Sequence, residues 1–304
     1  MASPTESMPR GGRFGDMQLG QPSRTALATA YARAYHQVAA EPRIFTDPLA
    51  IRITGVSPDR LPDLARGVLR EPADLALQRR RRMFLAARAR FAEETVAAAV
   101  AAGTRQVVIL GAGLDTFAYR NPHPQVRVFE VDHPNTQAWK RQRLAAAGIA
   151  IPPSLTFAPV DFESQTLASG LAASGFDRSR PCAFVWLGVV MYLTRETILD
   201  TARFVAGQAP PVQLVLDYLY PDSAAAPEQA AQQQARAGRV ASIGEPWLSF
   251  FTAAEFAQLL REIGFDRVDD RSARTLVDGY LDSPELDAAD GAFGPHVLRA
   301  TRTE

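Results

Sequence analysis

The chain carries a single cysteine, Cys182, which excludes a disulfide framework and a cysteine-ligated metal cluster. It lies in an apolar segment and reads as a small buried hydrophobe. The four histidines, His36, His123, His133 and His296, show no metal-ligand spacing, so no metal site is expected. No stretch of about eighteen apolar residues runs without a charge, which excludes a transmembrane helix. The N-terminal stretch is polar and has no apolar core of the kind a secretory signal needs. Neither sign of charge is in excess: Lys plus Arg and Asp plus Glu each number 33. A general nucleic-acid binder usually shows a basic surplus. These absences lead to the expectation of a cytoplasmic protein that contacts neither nucleic acid nor membrane. They leave its oligomeric state open.

Hydrophobic residues make up 47% of 304, enough for the core of one large domain with additions. Residues 1–22 lack periodicity and read as a flexible arm. From Ser23, a plausible N-cap, apolar residues recur at helical spacing: Leu27, Ala30, Tyr31, Ala34, Tyr35 and Val38. "RIFTDPLA" either ends that helix at Pro48 or opens another, with Asp47 as cap and Pro48 first. A long helix is predicted from Asp74 to Ala101, closing at Gly103. Its run Arg79–Arg82, followed by Glu93 and Glu94, reads as a solvated face. Residues 23–103 are thus expected to form a helical cover.

From residue 104 to 304 the pattern alternates. Strands are predicted at Val107–Leu110, Val126–Val131, Leu155–Val160, Ala183–Leu187 and Val212–Leu216. Helices are predicted at Thr136–Ala147 and Arg195–Ala206. This alternation predicts a Rossmann-like α/β fold, a mostly parallel sheet with helices on both faces. Two late strands, "RVDDR" and "HVLRATR", fit an antiparallel far edge. Between them and the fifth strand, residues 221–251 look like a lid insertion. The helix in "FTAAEFAQLLREIGF" has a capping box, Thr252 with Glu255.

"QVVILGAGLDTFAYR" ends its apolar run at Gly111, Ala112 and Gly113. Where a dinucleotide fingerprint wants a third glycine, this chain has Thr116. The next strand ends "FEVDHP", with Glu130 and Asp132 two residues apart and so on one face. A carboxylate there can accept from both hydroxyls of a ribose. The pattern suits an adenosine-containing cofactor without a pyrophosphate, one with a sulfonium and an amino-acid tail. Asp115 reads equally as a helix cap or a ligand.

These segments, followed by "VDFE", "WLGVVMYLT" and "GEPWLSFFTAAEFAQLLREIGF", resemble the leucine carboxyl methyltransferase-like family, in its bacterial, actinobacterial-style branch. The resemblance runs from about Thr25 to Arg302. It implies a class I methyltransferase dependent on S-adenosylmethionine (SAM). It places the glycine loop Gly111–Gly113 beside the methionine moiety, Asp132 on the ribose, and Asp161 with Phe162 at the adenine. It further places Arg88 on the cofactor carboxylate, with Arg33 as a weaker second basic residue. Where phosphatase-directed members carry a glutamate after the fourth strand, this chain has Leu187. The cofactor's amino group is then left with backbone carbonyls of Leu187 or Gly188.

The expected reaction is methyl transfer to an oxygen of a small molecule, most readily a carboxylate, which is already ionised near neutral pH. A phenol or enol would need a base, and His36 and His133 are the candidates. Tyr192 is the polar aromatic best placed on the substrate side. Trp247, Leu248, Phe250 and Phe251 read equally as an apolar wall of the pocket or as core. A nicotinamide oxidoreductase and a non-catalytic SAM-binding module are the alternatives that fold alone does not separate.

Overall fold

The computed structural model describes residues 24–39, 43–67, 75–162, 164–221, 227–281 and 294–304. The expected arm at 1–22, and Ser23, lie outside the described residues. The chain opens with helices α1 (Arg24–Ala39), α2 (Ala50–Thr54), α3 (Leu61–Gly67) and the long α4 (Leu75–Ala101). There follow β1 (Gln106–Leu110), α5 (Phe117–Arg120), β2 (Arg127–Asp132), α6 (Pro134–Ala146), β3 (Leu155–Pro159), α7 (Leu167–Ala173) and β4 (Cys182–Trp186). A 3-10 turn at Val190–Tyr192 leads to α8 (Arg195–Ala206) and β5 (Val212–Leu219). The chain ends with α9 (Pro227–Ser242), α10 (Ala253–Ile263), β6 (Arg267–Ser272), α11 (Ala273–Asp278) and β7 (Pro295–Arg302).

The seven strands form one sheet in the order β3-β2-β1-β4-β5-β7-β6. The first five are parallel, and β7 runs antiparallel to both β5 and β6, as the two late strands led us to expect. The order reverses between β1 and β4, which opens a crevice at their carboxyl ends. β1 and β4 are buried at every position, consistent with strands covered on both faces. Val108, Phe129, Phe184 and Leu214 pack beneath one face, and Val107, Val128, Ala183 and Val215 beneath the other. Cys182 is buried in β4, and desolvation pushes its thiol up to about 12. Among the described residues, no helix is long and apolar enough to cross a membrane.

The helix ends follow local chemistry. Thr252 and Glu255 form the expected capping box on α10, which closes at left-handed Gly264. Asp47 does not take its expected role as a cap with Pro48 first in the helix. α2 begins at Ala50, and the Asp47 carboxylate is fully buried, where Arg33 Nε (3.0 Å) and Arg120 Nε (3.3 Å) neutralise it. It ties the helical cover to the loop after β1.

Candidate active site

A cavity of about 1540 Å³ opens over the carboxyl ends of β1, β2, β4 and β5. α1, α4 and the segment from α9 to Leu248 enclose it further. Its floor is the loop after β1. Gly111 and Gly113 have φ of +65° and +41°, a region that disfavours side chains. At Gly111 the bare backbone is required by the protein itself. A Cβ there would lie 2.5 Å from Val189 Cγ2, in the loop after β4, while the Gly111 backbone still lines the cavity. Ala112 is buried between them and lines the cavity.

Asp132 ends β2 at the cavity. Its Oδ2 accepts from Gly113 N (2.7 Å) and its Oδ1 from His133 N (2.7 Å). Burial raises its pKa, and those two N–H groups pull the other way. Glu130 lies on the same face but deeper. It is fully buried, with Lys140 Nζ 2.8 Å from its Oε2 and the Tyr119 hydroxyl donating to the same oxygen. Desolvation raises it to about 7 against the pull of Lys140. Glu130 does not line the cavity, so of the two acids only Asp132 can meet a ligand. Asp115 accepts from Phe117 N (2.8 Å), and Arg33 Nη1 lies 3.8 Å from its other oxygen. It therefore caps α5 while facing the cavity.

Arg88 and Arg33 both line the cavity and are both buried. Arg33 also donates to Leu114 O (2.5 Å). Arg88 is paired through Nη1 with Asp217, the buried acid near the end of β5. Asp217 also accepts from Gly188 N (2.5 Å). Sequence reasoning missed this residue. The segment after β4 lacks a carboxylate at Leu187, yet β5 delivers one beside Gly188. The one acid in the mostly apolar run "VQLVLDYL" was the available signal. Leu187 lines the cavity, half-buried against the core.

Asp161 and Phe162 lie at the cavity, and Phe162 is 61% exposed. Tyr192 lines it too, and burial raises its pKa, so its hydroxyl stays protonated. The two histidines part company. His36 is fully buried outside the cavity lining. Burial first, and then Arg82 and Arg43, lower its pKa to about 4. His133 lines the cavity but caps α6, its Nδ1 accepting from Asn135 N (3.1 Å). Trp247 and Leu248 belong to the wall, whereas Phe251 is core, stacked on Phe256 at 4.2 Å. The Arg79–Arg82 run is not a solvated face. All four are only partly exposed, Arg82 lies over the Tyr35 ring (4.6 Å), and Arg80 and Arg81 line the cavity.

The residues fit a cofactor with an adenosine and an amino-acid tail. A carboxylate, an exposed aromatic face and a buried guanidinium all reach one cavity. Residues 26–206 match the family model for leucine carboxyl methyltransferase. The chain belongs to the leucine carboxyl methyltransferase family. YktD of Bacillus subtilis (strain 168), provisionally named a SAM-dependent methyltransferase, is 31% identical over 269 residues, covering 82% of this chain and 88% of YktD. A similarly named Parafrankia sp. (strain EAN1pec) protein is 35% identical over 218 residues, covering 68% and 66%. A solved methyltransferase structure from Thermobifida fusca YX, itself provisionally named, matches with a TM-score of 0.51 at 18% identity, covering 90% and 94%. It shows the same fold. This leucine carboxyl methyltransferase family member is accordingly a SAM-dependent methyltransferase with a Rossmann-like fold.

Proposed function

We propose that the chain transfers the SAM methyl to an oxygen of a small molecule, and that this oxygen belongs to a carboxylate. The observation that carries the reading is the state of His133. Its Nδ1 accepts the Asn135 N–H, so in the neutral ring Nε2 bears the proton and neither ring nitrogen is free to act as a base. His36 lies outside the cavity lining, and Tyr192 holds its proton. An acceptor that arrives ionised suits such a site. SAM, when bound, would supply a methyl on a sulfonium, and a carboxylate acceptor would need no proton removed to receive it.

The protein's part is alignment and exclusion of water. Asp132 takes the ribose, the loop Gly111–Gly113 borders the methionine moiety, and Asp161 with Phe162 borders the adenine. Arg88, while paired with Asp217, would hold the cofactor carboxylate, and Leu187 and Gly188 would offer backbone carbonyls to its amino group. The test is a screen with labelled SAM over carboxylic acids, phenols and small peptides, with mass spectrometry of the product. Methyl esters are expected. Ethers from phenols without esters, or a loss of about a thousandfold in His36→Gln or His133→Gln, would replace the carboxylate by a hydroxyl needing a base.

A further inference from the structure

Asp217 opposes a ligand that carries only negative charge. It is fully buried near the carboxyl end of β5, lines the cavity, and pairs through Oδ2 with Arg88 Nη1. A carboxylate seated on a guanidinium repels a second carboxylate brought to the same fork, and burial leaves that repulsion poorly screened. The amino-acid tail of the cofactor carries both signs. An Arg–Asp pair suits such a tail, one member for each of its charges.

Three residues close on one another here. Besides the Arg88 pair, Asp217 accepts through Oδ1 from Gly188 N (2.5 Å). Gly188 has a φ of +76°, and a Cβ there would lie 3.3 Å from Arg88 Nη2. The turn after β4 thus packs bare backbone against the guanidinium. Asp217 fixes the turn that carries the Leu187 and Gly188 carbonyls and sets a full negative charge behind it. Its side chain is only 1% exposed, so it acts across Gly188 and not by direct contact. An opposite charge within about 4–6 Å still favours a charged group in a buried site. The other acids of the cavity wall serve elsewhere. Asp132 holds the Gly113 and His133 N–H groups, Asp115 caps α5, Asp161 accepts from Ser164 Oγ, and Glu245 accepts from Arg24 N and Thr25 N.

We propose that Asp217 is a positioning residue that supplies the counter-charge for the cofactor's ammonium, so that Arg88 and Asp217 together select a zwitterionic tail. This rests on reading Arg88 as the partner of the cofactor carboxylate.

The test is calorimetric titration of the full chain with S-adenosylhomocysteine (SAH), with deamino-SAH and with decarboxy-SAH. The parent is expected to bind SAH about tenfold tighter than deamino-SAH, one charge-assisted contact's worth. Asp217→Asn keeps an oxygen for Gly188 N and is expected to reduce that preference to about twofold, while SAH remains preferred over decarboxy-SAH. Total SAH affinity is not the measure, because Arg88 without its partner holds the cofactor carboxylate more firmly. A parent without an amine preference overturns the inference. So does a preference that survives Asp217→Asn, even where all three ligands weaken equally, which is the mark of a merely structural role. A preference lost in Asp115→Asn instead overturns it too. Should Asp217→Asn not fold, Arg88→Met/Asp217→Asn removes both charges and is expected to lose both preferences; an amine preference in that protein is equally fatal. Arg88→Gln tests the supporting reading by itself. It is expected to abolish the preference for SAH over decarboxy-SAH, and a preference that survives would remove Arg88 from the carboxylate without altering the Asp217 result.

Discussion

Replacing Asp217 by Asn removes one charge from a buried pair and changes little else. Arg88 and Asp217 side chains are 8% and 1% exposed. Asn retains a side-chain oxygen that can still accept from Gly188 N, so the substitution isolates the charge. Leaving one member of a buried pair uncompensated costs about 3–5 kcal/mol. With an unfolding entropy of about 2.1 cal/mol/K per residue, a chain of 304 residues loses about 1.6 °C in Tm per kcal/mol. Asp217→Asn is therefore expected to melt about 5–8 °C below the parent. Arg88→Met in the same background should recover part of the loss, because the orphaned cation is then gone. Thermal and urea unfolding of the four proteins in the cycle measures the coupling. A parent-like Tm for Asp217→Asn, with additive single losses, would mean that the pair is relaxed by water. It would refute the assignment of Asp217 as the buried counter-charge of the site.

Asp132→Ala is expected to weaken SAH binding by about 1–3 kcal/mol in calorimetry, since it strips the acceptor proposed for the ribose and the one that holds the Gly113 N–H. Glu130→Gln probes the deeper acid. The folded-state pKa of Glu130 is raised from 4.5 to about 7, so its protonated form favours the fold below pH 4.5 and that stability is lost as pH rises through about 7. Urea titrations across this window should show a flatter pH dependence in the Gln variant, and an unchanged slope would mean that Lys140 keeps Glu130 ionised throughout. Glu245→Ala removes the carboxylate that accepts from Arg24 N, Thr25 N and Thr25 Oγ1 at the start of α1. Amide exchange in that first turn is expected to quicken by roughly tenfold, the loss of an N-cap, and protection equal to the parent's would show that the contact contributes nothing.

Periodicity and turn chemistry by themselves determined the order of the strands and of the long helices here, but not the short helices α5, α7 and α11. The five parallel strands, the Thr252–Glu255 cap and the acid ending β2 are local or nearest-neighbour features, and each was legible from residue spacing. What surrounds the cavity was not. That Val189 fills the space at Gly111, that Arg88 is balanced by a carboxylate 129 residues away, and that Arg80 and Arg81 turn inward are decided by which elements the sheet brings together. The same holds for His36, whose helix was read correctly and whose side chain is nonetheless buried outside the cavity lining. A helix pattern states which residues share a stripe. It does not state what the stripe faces, and for charged residues that neighbour decides between a solvated surface and a binding wall, because burial and pairing set the electrostatic energy only once the partner is in place.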